Sequence, residues 1–458
     1  KFSRENRFIV VTDEANFYDF INFKHLRNIV SSICTDVDEA ILDLLIYLLN
    51  ELAWVPDYMP RQEMGMPQIE TEAPRVLANA MLFELDRVVE AHSYRNYARF
   101  MDDIDFGTRT IVEAKKIVRD IDLTLQSRQL RLNSAKTKIM TQKDAFQHFC
   151  VRENGKLDRY ARLMELTGFW SILKPRVGKS IGRLYEEWLD RPPSGSPSHN
   201  TLFLRGNGTK VHKRVLTLLK KCDVQPPVDD LVWLIKNSPG MRTTAFRHLV
   251  HTNKPNEAFN KTLPILLGGT FVDDHAHIDF ANFCIHTRFK RTGKLLGGMT
   301  EAIDYLSGQG TIGQYSSLLI SGRVNAPDEL YKNVEKSFPA WRKDYWLGRT
   351  VAGLYPRVFA SPTGIGADYL SLVRSSSNLA AESVLNYHYK LMEEPTFVKK
   401  ASPYLKHDND SFPQKIYFPK ALQILSVRHN KKTTAAYTAI KKRHPSLVSD
   451  PFFATWGF

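Results

Sequence analysis

Cysteine is scarce in this chain: 458 residues hold four, Cys34, Cys150, Cys222 and Cys284, far apart and without the short spacings of zinc sites. That scarcity excludes a disulfide framework and fits a reducing, cytoplasmic setting. Long apolar runs are also missing. The best, Ile41 to Leu52, is broken by Asp43 and Glu51 and reads as a core helix, so no membrane partner is expected. Lys1-Phe2-Ser3-Arg4 carries no secretory signal. Gly206-Asn207-Gly208-Thr209-Lys210 lacks the length and preceding strand of a phosphate loop and reads as a turn. Acids are in deficit, 49 Asp and Glu against 63 Lys and Arg, and the resulting net charge of +14 favours an anionic partner such as nucleic acid.

What is present is acidic and local. Tyr97 to Met101 and Ile104 to Phe106 read as strands, with Asp102-Asp103 at a tight hairpin tip between them. An isolated Asp pair is usually a solvated turn, as Asp273-Asp274 is read here. At a hairpin tip, two short carboxylates present the hard oxygens that hold Mg2+ for phosphoryl transfer. A third carboxylate, Asp13, ends the apolar strand Phe8-Ile9-Val10-Val11-Thr12 and precedes Glu14-Ala15-Asn16-Phe17-Tyr18.

Further elements complete a series. Gly65-Met66-Pro67-Gln68 is followed by a helix-like stretch from Ala73 to Asp86. After the hairpin, Ile111, Ala114, Ile117, Val118, Ile121 and Leu125 share one helix face, leading to Leu130-Arg131-Leu132-Asn133-Ser134-Ala135-Lys136-Thr137-Lys138. In that order the elements resemble the palm of a reverse transcriptase.

The resemblance implies an α+β palm over residues 1–150, an antiparallel sheet with helices. It implies two Mg2+ ions, with Mn2+ as the alternative, held by Asp13, Asp102 and, less directly, Asp103. Tyr18 takes the place of a sugar gate, its ring excluding a 2′-hydroxyl beside Phe17; ordinary packing against Phe17 is its other reading. Gln68 and Ile69 fall where the incoming nucleotide is touched, and Lys136, with Lys138 as the alternative, faces the leaving pyrophosphate. Two departures bear on the template. Ile69-Glu70-Thr71-Glu72-Ala73 replaces the family's small residues with a branched side chain and carboxylates that repel phosphate, which argues against copying a long RNA. No primer-grip signature is recognisable in Met140 to Phe149. The first strand begins soon after Lys1, so a fingers subdomain is expected upstream or missing.

From about Gly155 the chain turns to amphipathic helices with short Pro, Gly and Asn breaks. Candidates are Leu157 to Leu173, Leu231 to Lys236, Thr243 to Val250, Ile278 to Phe289, Thr300 to Leu306 and Ala421 to Arg428. Pro192-Pro193-Ser194-Gly195-Ser196-Pro197 is the clearest loop. Residues 151–458 are therefore expected to form a helical domain, as a HEAT-like array or one irregular bundle.

A palm followed by helical pairs is similar to the bacterial defence-associated reverse transcriptases, and most to the abortive-infection type. That likeness implies a cytoplasmic nucleotidyltransferase and homo-oligomer that makes single-stranded DNA from dNTPs in antiphage defence, untemplated and protein-primed. A templated enzyme copying a bound non-coding RNA is the second expectation. A binding or toxic scaffold with a dispensable palm is the third, opposed by the intact Asp13, Asp102 and Asp103. Asp273-Asp274-His275-Ala276-His277 invites a metal reading, but capping of the following helix is preferred. Lys220-Lys221, Lys399-Lys400, Lys431-Lys432 and Lys441-Lys442-Arg443, with Tyr404, Tyr417 or Tyr437 nearby, read as guides for single-stranded DNA or as solvated helix surface.

Overall fold

The computed structural model describes residues 5–34, 36–52, 63–67, 72–93, 96–165, 170–189, 202–204, 206–359, 361–393 and 438. Gln68, Ile69, the loop at 192–197, the candidate helix at 421–428, Tyr404, Tyr417, Tyr437 and the basic clusters after residue 398 lie outside them. The chain divides into two compact units, Lys1–Lys156 with Arg205–Gly208, and Leu157–Leu204 with Thr209–Phe458. The class is α+β: one small antiparallel sheet and many helices.

In the first unit, strand β1 (Phe8–Thr12) is followed by helices α1 (Phe17–Phe20), α2 (Phe23–Ile33), α3 (Glu39–Leu52), α4 (Glu72–Ala80) and α5 (Phe83–Ser93). Strands β2 (Tyr97–Phe100) and β3 (Asp103–Thr108) form a hairpin, and α6 (Ile111–Ser127) leads to β4 (Lys138–Thr141) and α7 (Gln142–His148). The sheet order is β2-β3-β1-β4, with β1 antiparallel to both neighbours and Val10 facing Phe106 and Ile139. Helical crossovers on either side of a central hairpin make a split β-α-β arrangement. β1 is apolar along its whole length because it lies inside the sheet, and Ile9 and Val10 are fully buried. α6 is capped by Thr110, whose Oγ1 accepts the Glu113 amide at 3.1 Å, and it buries Ala114, Ile117, Ile121 and Leu125 in the core with Val10, Ile104 and Phe106.

Two expectations change. The stretch from Ala73 to Asp86 is not one helix: it breaks at Met81-Leu82, where the amides reach back only three residues, Met81 to Ala78 at 3.2 Å and Leu82 to Asn79 at 3.1 Å. Both side chains at the break are buried, so core packing overrides local propensity. The run at Ile41 to Leu52 is helical as α3, as expected, but only one of its faces joins the core, with Leu45 and Ile46 packed there beside Leu49. Leu42 and Leu49 are buried, while Ile41, Leu44, Tyr47, Leu48 and Leu52 are exposed.

In the second unit, α8 (Val151–Glu165, which begins in the first), α9 (Trp170–Leu189) and α10 (Gly208–Lys221) precede two rows of helices. Gly206 and Asn207 form the turn entering α10, with Gly206 at φ 49°. One row stacks α11 (Val228–Asn237), α13 (Pro255–Leu267) and α15 (Gly293–Ser307); the other stacks α12 (Arg242–Leu249), α14 (Asp274–His286) and α16 (Gly310–Val324). Phe246, Phe259, Phe280 and Phe283 fill the space between the rows. Asp273 caps α14, accepting the Ala276 amide at 2.8 Å. α17 (Pro327–Lys336), α18 (Phe338–Trp341), α19 (Tyr345–Gly353), α20 (Tyr355–Phe359), α21 (Ile365–Ser375) and α22 (Leu379–Glu393) follow, with α19 packed on α16 and α22. Among the described residues, no helix is long and apolar enough to cross a membrane.

Candidate active site

Asp13 lies one residue past β1, where the backbone is held on the side of the α6–β4 connection. Its carbonyl accepts the Asn133 amide at 2.8 Å, Ala15 donates to Arg131 at 2.9 Å, and Glu14 bridges Leu132. On the other side of β1, Thr12 pairs with Ile104, one residue short of the acidic tip. The tip itself is a two-residue turn, Met101-Asp102, one residue earlier than the expected Asp102-Asp103, so that Asp103 opens β3 opposite Phe100. Met101 takes the left-handed conformation at φ 57°, which lets the chain reverse this sharply.

This geometry brings the carboxyl of Asp102 close to that of Asp13. Burial, contact with Asp13 and the charges of Asp13 and Asp103 hold the Asp102 carboxyl above the usual range. Asp13 is buried, at 5% exposure. Lys136 reaches it from the turn after Asn133, whose carbonyl accepts the Lys136 amide at 3.1 Å and the Thr137 amide at 3.0 Å. Nζ forms an ion pair with Asp13 Oδ2, and this contact, reinforced by the charges of Asp102 and Asp103, raises the Lys136 pKa. Lys138, the alternative, is the first residue of β4 and exposed. Asp103, at the start of β3, is exposed.

Tyr18 lies near the acids: burial, then the charge of Asp102, pushes its hydroxyl up. Its ring stands edge-on to Phe17 at 5.4 Å, and Phe17 itself is a core residue at 2% exposure that supports Tyr18 from behind. The Met66 amide donates to the Tyr18 carbonyl at 2.7 Å and Gly65 to Ile21 at 3.0 Å, so the Gly65-Met66-Pro67 segment runs beside Tyr18. Gly65 has φ 95°, which a side chain would strain.

No protein-family model and no curated protein matches the chain. The chemistry of the site rests on its own residues.

Among the described residues, no three His, Cys, Asp or Glu side chains form a group that could hold a metal ion. The donors that do converge, Asp13 and Asp102, are hard carboxylate oxygens of the kind that Mg2+ accepts.

Two residues in this site escaped the sequence reading. Glu14 is 2% exposed, with both carboxyl oxygens lacking a hydrogen-bond partner. Burial foremost, then the charges of Asp102, Asp13 and Asp86, lifts it from 4.5 to about 8 against the pull of Arg99. Arg99, in β2, is the brace of the acidic turn. It donates to Asp86 Oδ1 at 2.7 Å, to Asn79 Oδ1 at 2.7 Å and to the Met101 carbonyl at 3.0 Å, while Tyr97 Oη donates to Asp86 at 2.6 Å. Burial raises Asp86, but the hydrogen bonds from Arg99 and Tyr97 outweigh it and leave the group lowered. An acid directly after a strand-ending Asp, and an arginine inside an otherwise apolar hairpin strand, are the only sequence signals of these roles.

Arg99→Ala is expected to lower stability by about 2–3 kcal/mol, because it strands Asp86 and frees the Met101 carbonyl. The loss falls below that for a fully buried pair since the Asp86 side chain keeps 26% exposure. A urea titration reads it directly; an unchanged midpoint would remove Arg99 from this role.

Proposed function

We propose that the first unit is a palm-type nucleotidyltransferase that builds DNA from deoxynucleoside triphosphates. The observation that carries this reading is the close approach of the Asp13 and Asp102 carboxyls with Lys136 paired to Asp13, assembled from three distant chain stretches at one end of a split β-α-β sheet. In the reaction a primer hydroxyl attacks the α-phosphate, a new P–O bond forms and the bond to pyrophosphate breaks. Asp13 and Asp102 would hold Mg2+, which supplies charge neutralisation and a lowered hydroxyl pKa when bound, with Asp103 as an outer carboxylate. Lys136, held charged by its acidic neighbours, neutralises the departing pyrophosphate. Tyr18, backed by buried Phe17, stands where a ring can exclude the 2′-hydroxyl.

The stacked rows α11-α13-α15 and α12-α14-α16 support a HEAT-like array in the second unit. With the palm, this fits the abortive-infection type of defence-associated reverse transcriptase, a bacterial cytoplasmic homo-oligomer whose DNA synthesis is untemplated.

The test is incubation of the purified chain with each deoxynucleotide and Mg2+, with and without nuclease treatment of the protein beforehand and protease treatment of the product afterwards. Synthesis that survives nuclease, with a product that protease shortens or releases, is the expected result. Faithful copying of a co-purified RNA would replace untemplated by templated synthesis, and no incorporation under any condition would defeat the reading. Tyr18→Ala is expected to raise ribonucleotide use relative to deoxynucleotide use by about tenfold, roughly the discrimination one steric contact supplies.

A further inference from the structure

The second unit displays two adjacent aromatic side chains to solvent: Tyr345 is 53% exposed and Trp346 68%. Rings of this size are normally largely buried, and an open neighbouring pair marks a surface that contacts something. Leu379, 81% exposed and next to Asn378, extends the apolar surface.

The turn that carries the pair is clamped. Trp341 is fully buried and donates Nε1 to the Val334 carbonyl at 2.8 Å. Asn378 Nδ2 donates to the carbonyls of Trp341 at 2.9 Å and Asp344 at 3.0 Å, and Asp344 caps α19 by accepting the Leu347 amide at 2.8 Å. Gly348 packs so closely on Asn378 that a Cβ there would stand 2.3 Å from Nδ2. The two rings are set edge to face at 5.1 Å, and Arg349 braces both, its guanidinium carbon 5.4 Å from the Tyr345 ring and 5.8 Å from that of Trp346. Arg349 also donates to Tyr345 Oη at 2.8 Å. Aromatic faces fixed in this way lose little entropy when a flat ligand stacks on them.

The rim is cationic on balance. Arg342, Lys343 and Arg349 are exposed, and one acid, Asp344, lies among them as the helix cap. Exposed rings edged by three cations against one acid, on a chain of net charge +14, suit a flexible polyanion with flat faces. We propose that Tyr345, Trp346 and the flanking cations bind single-stranded nucleic acid, with unpaired bases stacked on the rings and phosphates met by Arg342 and Lys343. A duplex keeps its base faces covered and cannot use the rings. The inference stands independently of the palm chemistry.

The test is fluorescence anisotropy of the full chain with a labelled oligothymidylate, alongside a duplex containing the same strand. Trp346→Ala and Tyr345→Ala are each expected to weaken single-strand binding about tenfold, roughly the loss of one stacked base, and to leave duplex binding unchanged. Trp346→Phe should retain most of the affinity. Replacing both Arg342 and Lys343 by Ala should flatten the dependence of log affinity on log salt by about 0.7 per lost phosphate contact. Circular dichroism and sedimentation of each variant separate a loss of binding from a loss of fold or assembly. Unchanged single-strand affinity in both aromatic variants overturns the proposal, as does no measurable single-strand binding by the parent chain. Variants that alter only the oligomeric state also overturn it, by marking the surface as a protein interface.

Discussion

Asp13→Asn and Asp102→Asn should each lower nucleotide incorporation by about a thousandfold or more, since several kcal/mol of charge stabilisation in the transition state is lost with either carboxylate. Asparagine keeps the shape and much of the hydrogen bonding, so the change isolates charge. The two variants should differ in stability. Asp102→Asn removes a half-buried acid that is repelled by Asp13 and Asp103, and the fold should hold or gain. Asp13→Asn takes away the carboxylate that Lys136 pairs with, and some loss is expected. Asp103→Asn, at an exposed position, should cost much less activity. The checks are steady-state incorporation and thermal melting of the same preparations. Wild-type rates in both Asp13→Asn and Asp102→Asn would refute the site, and full phage protection by inactive variants would instead favour the scaffold function.

Glu14 makes one distinct contribution to the pH dependence of stability. Its folded pKa is raised from 4.5 to about 8, chiefly by burial and next by the charge of Asp102. Below pH 4.5 both the folded and unfolded chains hold the proton, and the contribution to stability is fully present. As the pH rises from 4.5 toward about 8 the unfolded chain releases the proton while the folded chain keeps it, so stability falls across that window and levels off above it. The span corresponds to a few kcal/mol as an order of magnitude. Glu14→Gln cannot ionise, so this part of the slope should vanish. The variant should match the parent under acid conditions and exceed it in alkaline ones. Denaturant midpoints measured across the window decide it; parallel curves for the two proteins would show that Glu14 is not held neutral in the fold.

Legibility in the sequence followed from how local each cause was. β1, the hairpin and α6 could be read because period-two and period-3.6 patterns are written in neighbouring residues, and their bounds come close to those expected. The break at Met81-Leu82 could not, because it is imposed by core packing rather than by a proline or glycine. The exposed face of α3 could not either, since an apolar run does not say whether anything covers it. Asp13, Asp102 and Lys136 were picked out by residue type and order, and the fold brings these three together. Glu14 and Arg99 were missed because what makes them notable is a set of neighbours far away in sequence: Asp102 and Asp86. The helical cadence of the second unit was visible, but which helices stack in a row appears only in three dimensions.

The ammonium that balances Asp13 comes from a residue 123 positions later in the chain. During synthesis the first acid therefore leaves the ribosome well before its counter-charge, and the hairpin acids also emerge ahead of the lysine. Asp13 is therefore without this counter-charge until the segment that leads into the fourth strand has docked beside the first.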